Sequence, residues 1–257
     1  MKYFFKGILR ELILIILVGT MILFQPLLRY MSDLLSQTGQ MPGILLFYTS
    51  HSQGCFDIFA PALASIPFSA KFIVEYNGKN IYFILTRQSK WKYCVHHIII
   101  RLINGGLGVA LPNVILLIFC AVFGTSYTPN DVPRGYSTLF QDSALEPFQF
   151  MLNGYMVAVI VVILSFIMGL IWSSVGILFS ALLPNKYAAV AFPMIVYYFI
   201  SLILYGIGAN QYSPMAMIIP NAEGIESLGF VFLLQFIVLT ICVVSSYILM
   251  MKRVKDV

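Results

Sequence analysis

The sequence has 257 residues, of which 60% are hydrophobic and only 10% are charged. Soluble domains carry about 25% charged residues, so the composition excludes an ordinary soluble protein. It predicts an all-α integral membrane protein with a single bundle over residues 1–257. The net charge of +5 does not indicate a nucleic-acid partner, because the basic residues flank apolar stretches. The spacing of Cys55, Cys94, Cys120 and Cys242 fits no metal or redox motif and predicts no disulfide.

Six apolar stretches predict six transmembrane helices, over residues 12–28, 55–74, 102–123, 153–182, 187–208 and 229–251. The second stretch contains two prolines and Asp57, which either marks a polar pathway or lies at the outer headgroup level. The uncharged run from Pro147 to Asn185 is long for one helix and short for two. One tilted helix is preferred, because two helices would move the basic C-terminus to the outer side.

The basic residues predict the orientation of the six helices. Thirteen of the fifteen Lys and Arg fall on one side, and only Arg29 and Arg134 fall on the other. By the positive-inside rule the basic side is cytoplasmic, so both termini are expected inside. The thirteen are Lys2, Lys6, Arg10, Lys71, Lys79, Arg87, Lys90, Lys92, Arg101, Lys186, Lys252, Arg253 and Lys255.

The sequence also predicts the structure of the segments outside the six helices. Met1–Arg10 is either a helix along the inner membrane surface or the basic flank of the first helix. Residues 31–54 and 124–149 are predicted outer loops. The segment 209–228 has an apolar run between two prolines and predicts a half-buried or re-entrant outer segment.

The loop over residues 75–97 is the most informative inner segment. It is long and basic, and it contains the apolar run from Ile81 to Leu85. A plain connector needs only a few residues. The loop is therefore predicted to contact something, with Asn77-Gly78 as a turn. The pair His96-His97 points about 100° apart on a helix, which favours a surface position near the membrane over a metal site.

The fourth predicted helix has a stripe of small residues. These recur at helical spacing, so they lie on one face and predict a helix-packing surface rather than a substrate site. They are Gly169, Ser173, Gly176 and Ser180. Three glycines near the start of the third helix, Gly105, Gly106 and Gly108, predict a second place of close approach or a bend.

Motifs for catalysis are missing from the sequence. There is no phosphate-binding G-x-x-x-x-G-K-[ST] and no H-E-x-x-H, so no catalytic or metal-binding residue is predicted. Only the second predicted helix carries an acidic residue, which argues against an ion-coupled carrier. The residues of the inner loop instead follow a recognisable order: Glu75-x-x-Gly78, the apolar Ile81 to Leu85, Thr86-Arg87-x-Ser89 and Tyr93.

This order, between the second and third of six predicted helices, resembles the ABC-2 permease family of ABC exporters. The resemblance implies a permease subunit in a bacterial plasma membrane that exports a drug, peptide or lipid-like substrate. It implies a separate ATPase subunit that holds ATP and Mg, so this chain itself binds no cofactor. A second permease copy, identical or homologous, and membrane lipids are the other expected partners; no nucleic acid is expected.

In that family the loop after the second helix couples the permease to the ATPase. Carried over to this sequence, the coupling residues are Glu75, Tyr76, Asn77, Gly78, Lys79, Ile81, Phe83, Leu85 and Arg87. Ile81, Phe83 and Leu85 are expected to fill a groove on the ATPase. Glu75 and Arg87 either fix its orientation, one of them against an inner helix end, or are solvated flank charges. The alternatives to an exporter are a membrane scaffold without an ATPase and, with less support, a membrane-embedded enzyme.

Overall fold

The computed structural model describes residues 2–37, 43–52, 54–66, 69–78, 80–124, 144–148, 151–183, 185–218 and 227–255. Every regular element in these ranges is helical, as the composition predicts. The α-helices are α1 (Lys2–Gln37), α2 (Gly43–Ser52), α3 (Phe56–Ser65), α4 (Ser69–Asn77), α5 (Asn80–Leu85), α6 (Lys90–Phe123), α7 (Tyr155–Leu182), α8 (Lys186–Gly206) and α9 (Leu228–Lys255). Short 3₁₀ turns cover Glu146–Phe148, Met151–Gly154 and Asn210–Tyr212.

Five described helices are long and apolar enough to cross a membrane. They are Leu9–Leu28 within α1, and α6, α7, Tyr187–Gly206 within α8, and α9. The predicted fourth helix is one helix, and its observed bounds lie within two residues of the prediction. The predicted fifth and sixth helices also match, and the Asn185 side chain caps α8 by accepting the Tyr187 N–H at 2.9 Å.

The predicted second transmembrane helix is divided into α3 and α4. Their 10 and 9 residues rise about 15 Å and about 14 Å, so neither alone crosses a hydrocarbon core of about 30 Å. Pro67, which lies outside the described residues, falls between them, and proline has no N–H for a helical hydrogen bond. The prediction of one helix over 55–74 therefore becomes two helices in sequence.

α7 is the centre of the bundle and packs against α2, α3, α4, α6, α8 and α9. Its closest approach is to α6, where glycines remove the side chains between the backbones. A Cβ placed on Gly169 would lie 2.6 Å from the Gly105 carbonyl oxygen and 2.8 Å from the Gly106 Cα. Ser173 Oγ donates to the Arg101 carbonyl at 2.9 Å, which adds a hydrogen bond at the same crossing.

At the start of the chain one prediction agrees with the structure and one is wrong. α1 is continuous from Lys2 to Gln37, so residues 2–10 continue into the first long helix, as expected if they are its basic flank. The predicted outer loop 31–54 contains the end of α1 and the whole of α2. Residues 44–47 of α2 are buried, and Ile44, Leu46 and Phe47 belong to the main core, because α2 packs against α1, α6 and α7. The segment 31–54 therefore does not form a polar loop at the surface.

The segment before α9 is half-buried, in keeping with its prediction. Met217 and Ile218 are buried, and the Ser213 hydroxyl accepts the Ala216 N–H at 3.2 Å. Residues 219–226 lie outside the described residues, as do residues 125–143 and 149–150 of the predicted outer loop 124–149 and Pro184 of the predicted inner turn.

Candidate functional site

α6 begins twelve residues earlier than predicted, and this changes the shape of the inner loop. Ser89 has an extended backbone, and its hydroxyl accepts the Lys92 N–H at 3.4 Å, so it caps the helix. The predicted loop 75–97 therefore consists of the end of α4, the short helix α5, a turn and the first two turns of α6.

Glu75, near the end of α4, joins that helix to α6. The Tyr93 hydroxyl donates to Glu75 Oε2 at 2.7 Å, and His97 Nε2 donates to the same oxygen at 3.0 Å. Tyr93 and His97 are four residues apart, so both point from one face of α6 towards α4. His97 is buried by this contact, which differs from the surface position predicted for the His96-His97 pair; His96 is exposed.

Arg101 follows His97 on the same face of α6 and is buried, with 2% of its surface exposed. Its guanidinium interacts electrostatically with Glu75 and Tyr93. None of its three side-chain nitrogens has a hydrogen-bond partner among the described residues. Arginine keeps its charge in proteins, and an isolated buried charge costs several kcal/mol. Glu75 is therefore the acidic group that offsets the Arg101 charge.

α5 has one face inside the bundle and one face outside. Ile81 is fully buried in a second core, the inner cluster, and Leu85 packs against that cluster. The inner cluster consists of Phe72, Ile81, Tyr93, Cys94, Ile98, Ile177, Ala181, Met250 and Val254. Phe83 is 74% exposed. Ile81 is thus not on a surface that a partner could touch, in contrast to the expectation from the sequence.

The exposed side chains of this segment form an aromatic-basic face. It consists of Tyr82, Phe83, Arg87, Lys90, Trp91 and Lys92. Three aromatic rings and three positive charges follow one another within eleven residues. Aromatic and arginine side chains are enriched in the centres of protein interfaces, whereas lysine is depleted there. The three aromatic rings and Arg87 therefore suit the centre of an interface, and the two lysines suit its polar rim.

The remaining predicted coupling residues lie around the end of α4. Tyr76 is half-buried, and the Arg253 guanidinium of α9 lies 5.1 Å from its ring centroid. Asn77 and Gly78 are exposed where the helix ends, and the Gly78 N–H donates to the Val74 carbonyl at 3.0 Å. Lys79 lies outside the described residues.

The small-residue stripe of α7 divides between two neighbours. Gly169 and Ser173 face α6, as described above. Gly176 is also among the buried residues of α7. The Ser180 carbonyl accepts a hydrogen bond from Arg253 Nη1 of α9 at 3.4 Å. The stripe therefore lies at helix contacts, and one of these contacts is with the basic end of α9.

A second buried ionisable pair lies away from the inner loop. His51 Nδ1 and Asp57 Oδ1 are 3.3 Å apart, and both residues are buried. The pair joins α2 to α3, so the Asp57 side chain is buried inside the bundle. The pair was not predicted from the sequence, because His51 lies in the segment predicted to be an outer loop.

Within the described residues no three His, Cys, Asp or Glu side chains lie close enough together to hold a metal ion. All four cysteines are free thiols. Comparison of the chain with models of protein families, with curated proteins and with solved structures finds no match.

Proposed function

We propose that the chain is the permease subunit of an ABC exporter of the ABC-2 type, in the plasma membrane of a bacterium. In this proposal α3 and α4 together make the second of six crossings, and both termini are cytoplasmic. A separate subunit binds ATP and Mg and supplies the energy. The substrate is a drug, a peptide or a lipid-like molecule.

The observation that carries the proposal is the aromatic-basic face at the inner loop. Exposed aromatic and arginine side chains are enriched in protein interfaces, and exposed apolar patches rimmed by polar residues mark interaction sites. Phe83 stands out from α5 while Ile81, on the opposite side of the same short helix, is buried. The helix is thus held by the bundle and free on the side where a partner would lie. This arrangement suits a rigid contact better than a plain connecting loop.

The packing beneath α5 supports a role in coupling. Ile81 lies in the inner cluster with residues of α4, α6, α7 and α9. A displacement of α5 by a partner would therefore push against four other helices. Glu75 adds a polar connection from α4 to α6 through Tyr93 and His97. Glu75 thus has the role of orienting the loop against an inner helix end, while the exposed Arg87 has the role of contacting the ATPase.

Exposed apolar faces support the presence of membrane lipid and a second permease copy. α8 and α9 are the least buried of the five long helices. Side chains such as Phe199, Leu202, Phe236 and Ile241 are well exposed on them. We assign these surfaces to lipid and to an identical or homologous permease that completes the transport path.

The test compares variants of the aromatic-basic face at equal membrane levels. Burying a Phe side chain contributes about 1.5–3 kcal/mol, while an exposed ion pair contributes under about 1 kcal/mol. Phe83→Ala is therefore expected to weaken association with the ATPase more than Lys90→Ala. Arg87→Glu is expected to lower substrate-stimulated ATP hydrolysis in the isolated complex.

The measurement is ATP hydrolysis that is retained with the affinity-tagged chain after isolation from membranes of its source cells. A loss with Phe83→Ala that exceeds the loss with Lys90→Ala supports the proposal. Unchanged hydrolysis in both Phe83→Ala and Arg87→Glu would remove its main support. If the unaltered chain retains no ATP hydrolysis at all, the scaffold alternative replaces the exporter.

A further inference from the structure

A gap separates α8 from α9 although both pack against α7. Within the described residues the two helices make almost no direct contact with each other. The gap encloses a cavity of about 240 Å³, with Trp172 and Val175 of α7 at its floor. The 3₁₀ turn at Asn210–Tyr212 and the residues that follow it close one end.

The lining of this cavity is almost entirely apolar. Among the described residues Gln235 is the only amide on it, and its Nε2 donates to the Met217 carbonyl at 3.0 Å, so the side chain is fixed to the wall. None of the lining residues that the structure describes is charged. A hydrated ion or a polar peptide would lose its water contacts there without replacement. An occupant of this cavity must therefore be apolar where it touches the walls.

The cavity opens sideways between the two helices. Ile200 of α8 and Val238 of α9 line it, yet they remain 38% and 37% exposed. They are continuous with the exposed apolar faces of the same helices, including Phe199 and Ile237. In a membrane these faces lie against lipid acyl chains or against a partner helix. The mouth therefore meets hydrocarbon and not water.

The size of the cavity favours a lipid acyl chain over a partner helix as its occupant. Apolar cavities of about 150 Å³ stay dry and take small apolar guests, so the larger volume here is sufficient for an apolar guest. An α-helix with its side chains is about 10–12 Å across, which is too wide to enter a cavity of about 240 Å³. An unbranched hydrocarbon chain is narrow and flexible enough to enter between α8 and α9.

We propose that this cavity binds one acyl chain of a membrane lipid, inserted between α8 and α9 against Trp172. The proposal does not depend on the exporter assignment; it requires only that α7, α8 and α9 lie in a bilayer. The acyl chain would fill the space between α8 and α9 and would hold these two helices apart at a fixed spacing.

The test uses the fluorescence of Trp172, one of the two tryptophans in the sequence. The other, Trp91, is exposed and lies in the aromatic-basic face, so Trp91→Phe leaves Trp172 as the sole emitter without touching the cavity. The purified Trp91→Phe protein is placed in bilayers of phosphatidylcholine with or without bromine atoms on the acyl chains. Bromine quenches tryptophan only at short range, and we expect the brominated lipid to remove most of the Trp172 emission.

Matched substitutions distinguish quenching by an acyl chain inside the cavity from quenching by lipid around the protein. Val238→Phe and Ile200→Phe each fill the mouth from a different helix, and both are expected to restore the emission. Val244→Phe makes the same change on α9, at a residue that is 50% exposed and does not line the cavity. It is expected to leave the quenching unchanged.

Equal quenching in the Val238→Phe, Ile200→Phe and Val244→Phe variants would overturn the proposal, because the bromine would then act from outside the cavity. Weak quenching in the parent protein would overturn it as well. Bromobenzene in unbrominated bilayers is the final arm. If bromobenzene quenches Trp172 and the brominated lipid does not, the site takes small aromatic molecules and the acyl-chain proposal fails.

Discussion

Replacing Glu75 by glutamine tests whether this carboxylate offsets the buried charge of Arg101. Glutamine has nearly the same size and keeps an oxygen that accepts hydrogen bonds, so the substitution removes mainly the negative charge. Removing one member of a direct buried ion pair costs about 3–5 kcal/mol. Glu75 interacts with Arg101 electrostatically without a hydrogen bond to it, and the Glu75 side chain is 14% exposed, so we expect a smaller cost, about 1–3 kcal/mol.

A double substitution separates charge compensation from general damage. In the Glu75→Gln protein the Arg101 charge has lost its acidic partner, so adding Arg101→Met removes the unfavourable group. Replacing both members of a buried pair by neutral groups is often close to neutral. The double variant is therefore expected to be more stable than Glu75→Gln alone. Arg87→Gln is the control, because Arg87 is exposed and surface changes stay within about 0.5 kcal/mol.

Buried thiols provide the assay. Cys94 and Cys120 are buried, whereas Cys55 is exposed and Cys242 is half-buried, so a thiol-reactive dye reports unfolding once Cys55 and Cys242 are replaced by serine. For a chain of this size 1 kcal/mol corresponds to about 2–4 °C in midpoint. A loss of about 1–3 kcal/mol then lowers the midpoint by about 2–12 °C. A double variant as unstable as the sum of its two single changes would refute the charge-compensation argument.

Two further predictions concern topology and packing. A membrane-impermeant thiol reagent on intact cells is expected to label Ser137→Cys and not Ser89→Cys in a background without native cysteines; labelling of Ser89→Cys would contradict the proposed orientation. Gly169→Ala places a methyl group against the α6 backbone and is expected to cost about 1–3 kcal/mol, whereas Gly206→Ala meets nothing within 4 Å and is expected to be neutral or stabilising by up to about 1 kcal/mol. Equal thermal midpoints for the two glycine variants would show that the α6–α7 approach tolerates a side chain.

Hydropathy predicted the long helices well because their apolar runs are uninterrupted. α7 has no charged residue from one end to the other, so its bounds could be taken from the sequence within two residues. The same method placed the start of α6 too late. Residues 90–101 include two lysines, two histidines and an arginine, and these lower the average hydropathy over the start of the helix. The helical spacing of Tyr93, His97 and Arg101 was the signal that was present.

Burial of α2 and the His51–Asp57 contact could not be predicted in the same way. α2 is a ten-residue helix, too short for a membrane span, and its burial depends on contacts with helices far away in the sequence. The partner of His51 lies beyond a turn, so no periodicity connects it to Asp57. Similarly, a pattern of apolar residues predicted that α5 touches something, but only the packing shows that Ile81 faces inward and Phe83 outward.

Photo-crosslinking from Phe83 tests most directly whether the inner loop docks on an ATPase. A photoreactive phenylalanine analogue replaces Phe83 in one protein and Phe123 in another. The two positions are similarly exposed, at 74% and 69%, but Phe123 lies at the opposite end of α6 from the inner loop. After irradiation of intact cells, the crosslinked product is tested for labelling by azido-ATP. The exporter account predicts a crosslink from position 83 to a polypeptide that binds ATP, and none from position 123. A crosslink from position 83 only to proteins that do not bind ATP, or the same ATP-binding product from both positions, would contradict it.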